Sequence, residues 1–114
     1  MRLHTAATEW IETFPEPGLV GASAKAASDL LKAMAHESRL KILCILRDNE
    51  RSVTELEHML DLRQPTVSQQ LARLRADGLV NTRRDGKTIY YSLASTRARH
   101  LIDAMQDLFC HRSD

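Results

Sequence analysis

The stretch SVTELEHMLDLRQPTVSQQLARLRADGLVNTRRDGKTIYYSL fills residues 52–93. It opens on a capping box, Ser52-Val53-Thr54-Glu55. The Ser52 hydroxyl can accept from the third backbone N–H, while Glu55 reaches back to the cap. This predicts a short helix to about Leu60, with Val53, Leu56, Met59 and Leu60 on its inner face. After the turn Asp61-Leu62-Arg63, Gln64-Pro65 starts another helix, because proline at the first helical position forfeits an N–H that had no partner there. Val67, Leu71 and Leu74 form its buried stripe, and Gly78 closes it as a left-handed cap. The pattern then turns to period 2. Leu79–Arg84 and Thr88–Leu93 flank Asp85-Gly86, a strong hairpin signal.

Upstream, Glu37 to about Asp48 is apolar nearly all round (Leu40, Ile42, Leu43, Cys44, Ile45, Leu46), as in a helix buried in a core. Before it, Leu19 to about Ala35 spaces Ala27, Leu30, Leu31 and Met34 helically, and small residues at Ala22–Ala27 suit close helix packing, including across a dimer. Downstream, Ser95 or Thr96 caps a last helix with the stripe Leu101, Ile102, Met105, Leu108 and Phe109. Residues 1–18 read as an arm, since Pro15, Pro17 and Gly18 break regular structure, although Trp10, Ile11 and Phe14 are spaced for a helical turn. The fold class is therefore mainly α with a β-hairpin wing: a winged helix-turn-helix of four helices, a hairpin and a fifth helix, with residues 19–114 as one DNA-binding and dimerisation domain.

A chain of 114 residues bounds one domain, and such small domains often complete their cores by oligomerising. No apolar run approaches the ~18 residues of a membrane span, and Met1–Phe14 lacks a signal-peptide core, so the expected location is the cytoplasm. Net charge is only +1, but Leu62–Arg99 carries eight Lys/Arg against two acids, +6, which leaves −5 for the remainder. A local basic stretch on a near-neutral chain fits either one face meeting phosphates or an ordinary solvated surface. In a helix-turn-helix the second helix enters the major groove with its N-terminal residues. Here Gln64, Thr66, Ser68, Gln69 and Arg73 point away from the Val67/Leu71/Leu74 stripe. Their amides and hydroxyls can read base edges or hold phosphates. Arg83, Arg84 and Lys87 at the hairpin tip suit the backbone or minor groove.

Four segments together resemble the ArsR/SmtB family of bacterial repressors: LKAMAHESRLKIL (31–43), QPTVSQQL (64–71), DGLV (77–80) and RRDGKTIYYSL (83–93). Asp61 stands where that family often has glycine in the turn, and Asp tolerates the left-handed region better than most residues. The resemblance implies a homodimer joined by the first and last helices, bound to an inverted-repeat operator in double-stranded DNA and released by an effector. One family metal box would fall on Glu50–Leu56, but Ser52 and Thr54 replace its thiolates, and hydroxyls are poor ligands for soft metals. A second box, Asp-x-His, would fall on Ser95-Thr96-Arg97 and is also missing. His100, Asp103, Asp107 and His111 share one face of the last helix. They form either a solvated polar face or half of a zinc or nickel site across a dimer.

Cys44 and Cys110 lack the spacing of a zinc knuckle or a thioredoxin-type pair. Cys44 lies in an apolar helix, where cysteine commonly serves as a small core residue. Cys110 falls outside the last helix's stripe; His111 or Arg112 would favour its thiolate, and the helix C-terminus would oppose it. Together the two positions resemble the HlyU-related BigR/SqrR branch of the family. That likeness implies a DNA-binding repressor switched by low-molecular-weight persulfides through a disulfide or polysulfide between Cys44 and Cys110. The genes it implies are those of sulfide oxidation or sulfur detoxification. No cofactor, membrane partner or enzymatic activity is implied. The alternatives are a metal-sensing repressor and a general peroxide-sensing thiol repressor of the same family. A thiol peroxidase has no extended motif to support it.

Overall fold

The computed structural model describes residues 18–110; the Trp10 arm, His111 and Arg112 lie outside them. Residues up to Leu31 and residues from Lys32 onward form two units. In the first, Gly18–Val20 make a single 3-10 turn, and the Ser23 hydroxyl donates to the Gly18 carbonyl at 2.6 Å. Helix α1 is Ser23–Met34, so it starts four residues later than its apolar spacing predicts. Gly18, at φ +62°, takes the chain through a left-handed turn first.

In the second unit α1 ends on buried Ala33 and Met34. The chain breaks at His36, which is extended (φ −155°, ψ 133°) and whose Nδ1 accepts from the Ser38 N–H. That interaction caps α2, Glu37–Leu46, which stops two residues short of the expected Asp48. Ile42, Leu43 and Leu46 are buried, while Cys44 and Ile45 are half-buried.

The capping box at Ser52 forms as read: its hydroxyl accepts from the Glu55 N–H at 3.2 Å, and Glu55 accepts from the Ser52 N–H at 2.9 Å. It starts α3, Val53–Leu60. Leu56 is fully buried, but Met59 is half exposed and does not join the inner face. Asp61 takes the left-handed conformation, φ 54° and ψ 47°, as the turn requires. The Leu62 N–H then reaches the Glu57 carbonyl. Helix α4, Gln64–Ala76, has Pro65 in its first turn and buries Val67, Leu71 and Leu74 completely. Gly78, at φ +74°, closes it in a Schellman motif: Leu79 N–H to Leu74 C=O and Gly78 N–H to Arg75 C=O.

The wing pairs β2 (Val80–Asp85) with β3 (Thr88–Leu93), in a register running from Val80↔Leu93 to Asp85↔Thr88. The two-residue loop is thus Gly86-Lys87, one residue later than the Asp-Gly pair suggests. With φ +64°, Gly86 is the only one of the two loop residues at positive φ, as in a type II′ hairpin that places glycine first. A two-residue strand β1, Arg51–Ser52, adds antiparallel to β3, giving the order β1-β3-β2. Periodicity could not reveal it, because two residues have no period.

Ser95 caps α5, Thr96–Phe109, by accepting from the Ala98 N–H. Ala98 and Ile102 are buried, yet Met105, Leu108 and Phe109 are 41%, 68% and 74% exposed. The stripe expected to be core is therefore only half covered among the described residues. Leu19, Val20 and Leu31 are exposed as well. Among the described residues no helix is long and apolar enough to cross a membrane.

Candidate nucleic-acid interface and thiol pair

Helix α4 is the second helix of the helix-turn-helix, and its buried stripe leaves the opposite face to solvent. Gln64 and Gln69 are exposed, and Thr66 and Ser68 half-buried. The Gln64 Nε2 donates to the Ser68 hydroxyl at 2.7 Å, which sets both side chains on the first turn. Exposed Arg73 pairs with Asp77 one turn on, at 2.7 Å.

The residue that fixes α4 from behind is Arg39. Only 9% exposed, it donates to the Ala33 carbonyl (2.6 Å), the Lys32 carbonyl (3.3 Å) and the Gln70 side-chain oxygen (2.8 Å). Burial, then the nearby Arg73, lowers its pKa, but arginine stays charged in proteins. One guanidinium so ties the end of α1 and the body of α2 to the reading helix. Sequence reasoning did not assign this role to Arg39 or Gln70. The available signal was that Gln70 sits one turn from Val67 and Leu74, a polar side chain beside an apolar stripe.

On the wing, the three cations differ. Arg84 and Lys87 are exposed and, among the described residues, without an acidic partner. Arg83 is not at the tip. It lies opposite Tyr90, forks onto Glu50 with contacts of 2.5 and 3.2 Å, and its guanidinium carbon sits 4.8 Å from the Tyr90 ring centre. Between α4 and the wing an open groove of about 460 Å³ is lined by Ser68, Ala72, Arg75, Ala76 and Tyr91. Arg75 is thus a further cation on α4, in the groove that faces the wing.

The second site lies where α2 meets α5. Cys44 is half-buried and Cys110, just past α5, is exposed; both thiols are free. Burial raises the pKa of the Cys44 thiol, and Cys110 raises it further, while Arg47 opposes the rise. The helices are held by polar contacts at one end: Arg47 Nε donates to Asp103 and Arg99 Nη1 to the Arg47 carbonyl at 2.8 Å. Arg47 also donates to Asp48 at 3.0 Å. Asp103, one of the four possible metal ligands, is therefore the partner of an arginine. His100 and Asp107 are exposed, and among the described residues no three His, Cys, Asp or Glu side chains are grouped to hold a metal ion.

Residues 36–82 match the profile of "Bacterial regulatory protein, arsR family". The chain is 54% identical over 88 residues to the transcriptional activator HlyU of Vibrio cholerae, covering 77% of this chain and 81% of that one. It is 53% identical over 81 residues to the biofilm growth-associated repressor of Agrobacterium fabrum, covering 71% of this chain and 69% of the relative. The structure of reduced HlyU from Vibrio cholerae superposes with a TM-score of 0.75 at 50% identity, over 78% of this chain and 94% of that one.

Proposed function

Because the chain belongs to the ArsR family of bacterial transcriptional regulators, whose members bind DNA, we propose that it is a repressor whose hold on its operator is switched by sulfur chemistry at Cys44 and Cys110. Residues 19–114 form the DNA-binding and dimerisation domain, and residues 1–18 an arm. Gln64, Thr66, Ser68, Gln69 and Arg73 meet the major groove, while Arg83, Arg84 and Lys87 meet the flanking backbone. The exposed apolar side chains of α5, together with Leu19, Val20 and Leu31, support a homodimer through the first and last helices. Two such reading heads call for an inverted-repeat operator with half-sites about one DNA turn apart.

The observation that supports the switch is that a half-buried and an exposed free cysteine stand on α2 and at the end of α5, two helices joined through Arg47, Asp103 and Arg99. Cys110 is the exposed one and reacts first. Its thiolate takes the sulfane sulfur from a low-molecular-weight persulfide, RSSH, forming a Cys110 persulfide and releasing RSH. Cys44 then attacks the inner sulfur, forming a Cys44–Cys110 disulfide and releasing hydrogen sulfide. Where a second RSSH has also converted Cys44 to a persulfide, releasing a second RSH, the Cys110 persulfide attacks the inner sulfur of Cys44, and a trisulfide bridge forms with release of hydrogen sulfide. Either link couples the core helix to α5, alters the spacing of the reading heads and lifts repression of sulfide-oxidation or sulfur-detoxification genes.

The test is mass spectrometry and DNA binding after treatment with an organic persulfide, peroxide or zinc. A Cys44–Cys110 linkage formed by persulfide, with loss of DNA binding that Cys44→Ser or Cys110→Ser abolishes, is the expected result. Unchanged release from the two variants overturns the sulfur switch. Release by zinc or peroxide alone moves the sensor to metal or general oxidation.

A further inference from the structure

Arg83 is the most constrained cation on the wing. Its fork meets the Glu50 carboxylate through two nitrogens, at 2.5 and 3.2 Å. Its guanidinium carbon lies over the Tyr90 ring, 4.8 Å from the ring centre. Three segments converge to build this contact. Arg83 comes from β2, Tyr90 faces it from β3, and Glu50 comes from the residue just before β1, which itself pairs with β3. A guanidinium held over an aromatic ring, with its Nε and Nη2 N–H groups engaged by a two-oxygen anion, has the geometry that recognises a phosphodiester. Carboxylate and phosphate are interchangeable partners for that fork.

The pair is also placed to exchange. The Arg83 and Glu50 side chains are 53% and 39% exposed, and exposed ion pairs contribute little to stability. On the same wing Arg84 and Lys87 are left open to solvent, so of these three the cation farthest from the loop is the one that carries an internal anion.

We infer that Arg83 and Tyr90 form a phosphodiester-binding cradle whose place is held, in the free protein, by the Glu50 carboxylate. Engagement of the DNA backbone swaps Glu50 for a phosphate, and the displaced carboxylate then faces a polyanion. Glu50 so lowers affinity for any DNA, irrespective of sequence, and limits the hold of the wing away from its operator. The inference rests on the reading of the wing as a DNA-contacting element.

The experiment measures binding of a short fluorescent random-sequence duplex across a series of salt concentrations, for the wild type, Glu50→Gln, Arg83→Gln and the double variant. Glu50→Gln is expected to bind several-fold more tightly, with a slope of log K against log salt steeper by up to about 0.9, the value of one additional neutralised phosphate. Arg83→Gln is expected to bind more weakly, and in its background Glu50→Gln is expected to change nothing. Weaker binding by Glu50→Gln would make the carboxylate a support that orients Arg83 for DNA, and would overturn the inference. So would an equal gain with and without Arg83, which is a general charge effect, or no change at all. Absence of binding by the wild type at low salt overturns the DNA reading itself, and this inference with it. A thermal melt of each variant verifies that it is folded.

Discussion

Helices α4 and α5 each carry an apolar stripe, and the two stripes meet different fates. On α4, Val67, Leu71 and Leu74 are fully buried within the chain. On α5, Ile102 is buried but Met105, Leu108 and Phe109 are 41–74% exposed. Among the described residues the α4 stripe is thus fully covered, whereas the α5 stripe is covered only in part. Stability and assembly should therefore separate experimentally along this line.

The largest effect is expected from Leu71→Ala. Deleting a fully buried leucine leaves a cavity worth about 2–5 kcal/mol, read as a lower denaturation midpoint at every protein concentration. Phe109→Glu should do the reverse. The fold should survive, while sedimentation shows monomers at concentrations where the wild type dimerises and operator affinity falls at least about tenfold, the equivalent of ~1.4 kcal/mol. Equal loss of stability from both changes would erase the contrast between the two stripes.

Smaller effects belong to the two ends of α3, which are closed locally. Ser52→Ala removes the capping hydroxyl and should cost about 1 kcal/mol, independent of protein concentration. The Ser52 backbone N–H bond to Glu55 leads the interactions that lower that carboxyl's pKa. A depressed folded-state pKa stabilises above the ordinary carboxylate range and stops doing so as pH falls through the folded value. The Glu55 contribution should accordingly be intact at neutral pH and fade in acid; Glu55→Gln should lose stability at neutral pH and match the wild type more closely in acid. The smallest effect, and the only gain, is expected at Asp61. Its φ of 54° is a conformation glycine adopts freely, so Asp61→Gly should raise stability by up to about 1 kcal/mol. A loss there would mean that the aspartate side chain holds the turn in some other way.

Much of the reading head was legible because its signals are local. A capping serine and its glutamate lie three residues apart, and Gly78 and Pro65 act on their own backbone. The left-handed turn at Asp61 was expected from the family likeness, which often has glycine there, and Asp tolerates that conformation. What escaped notice joins distant positions. The Arg39–Gln70 bond spans 31 residues and the Arg83–Glu50 pair 33, and no period or cap signals such partners. The same blindness put Arg83 at the wing tip and the hairpin loop one residue early. The α5 stripe was legible as apolar, but a hydrophobic spacing does not tell whether the covering surface belongs to the same chain. The two thiols stood apart in the sequence. Their neighbourhood follows from how α2 and α5 meet, and only the family likeness hinted at it.

The staple at that meeting, Arg47 to Asp103 and Arg99 to the Arg47 carbonyl, has a kinetic consequence. It closes, without a covalent bond, nearly the loop that a Cys44–Cys110 bridge would close. The loop-closure entropy is therefore spent in folding, before any sulfur arrives. In the proposed switch each thiol then meets the other at an effective concentration of the millimolar order or above that tethered partners reach. Once one cysteine is modified, its neighbour can compete as the resolving nucleophile against free thiols at comparable concentration.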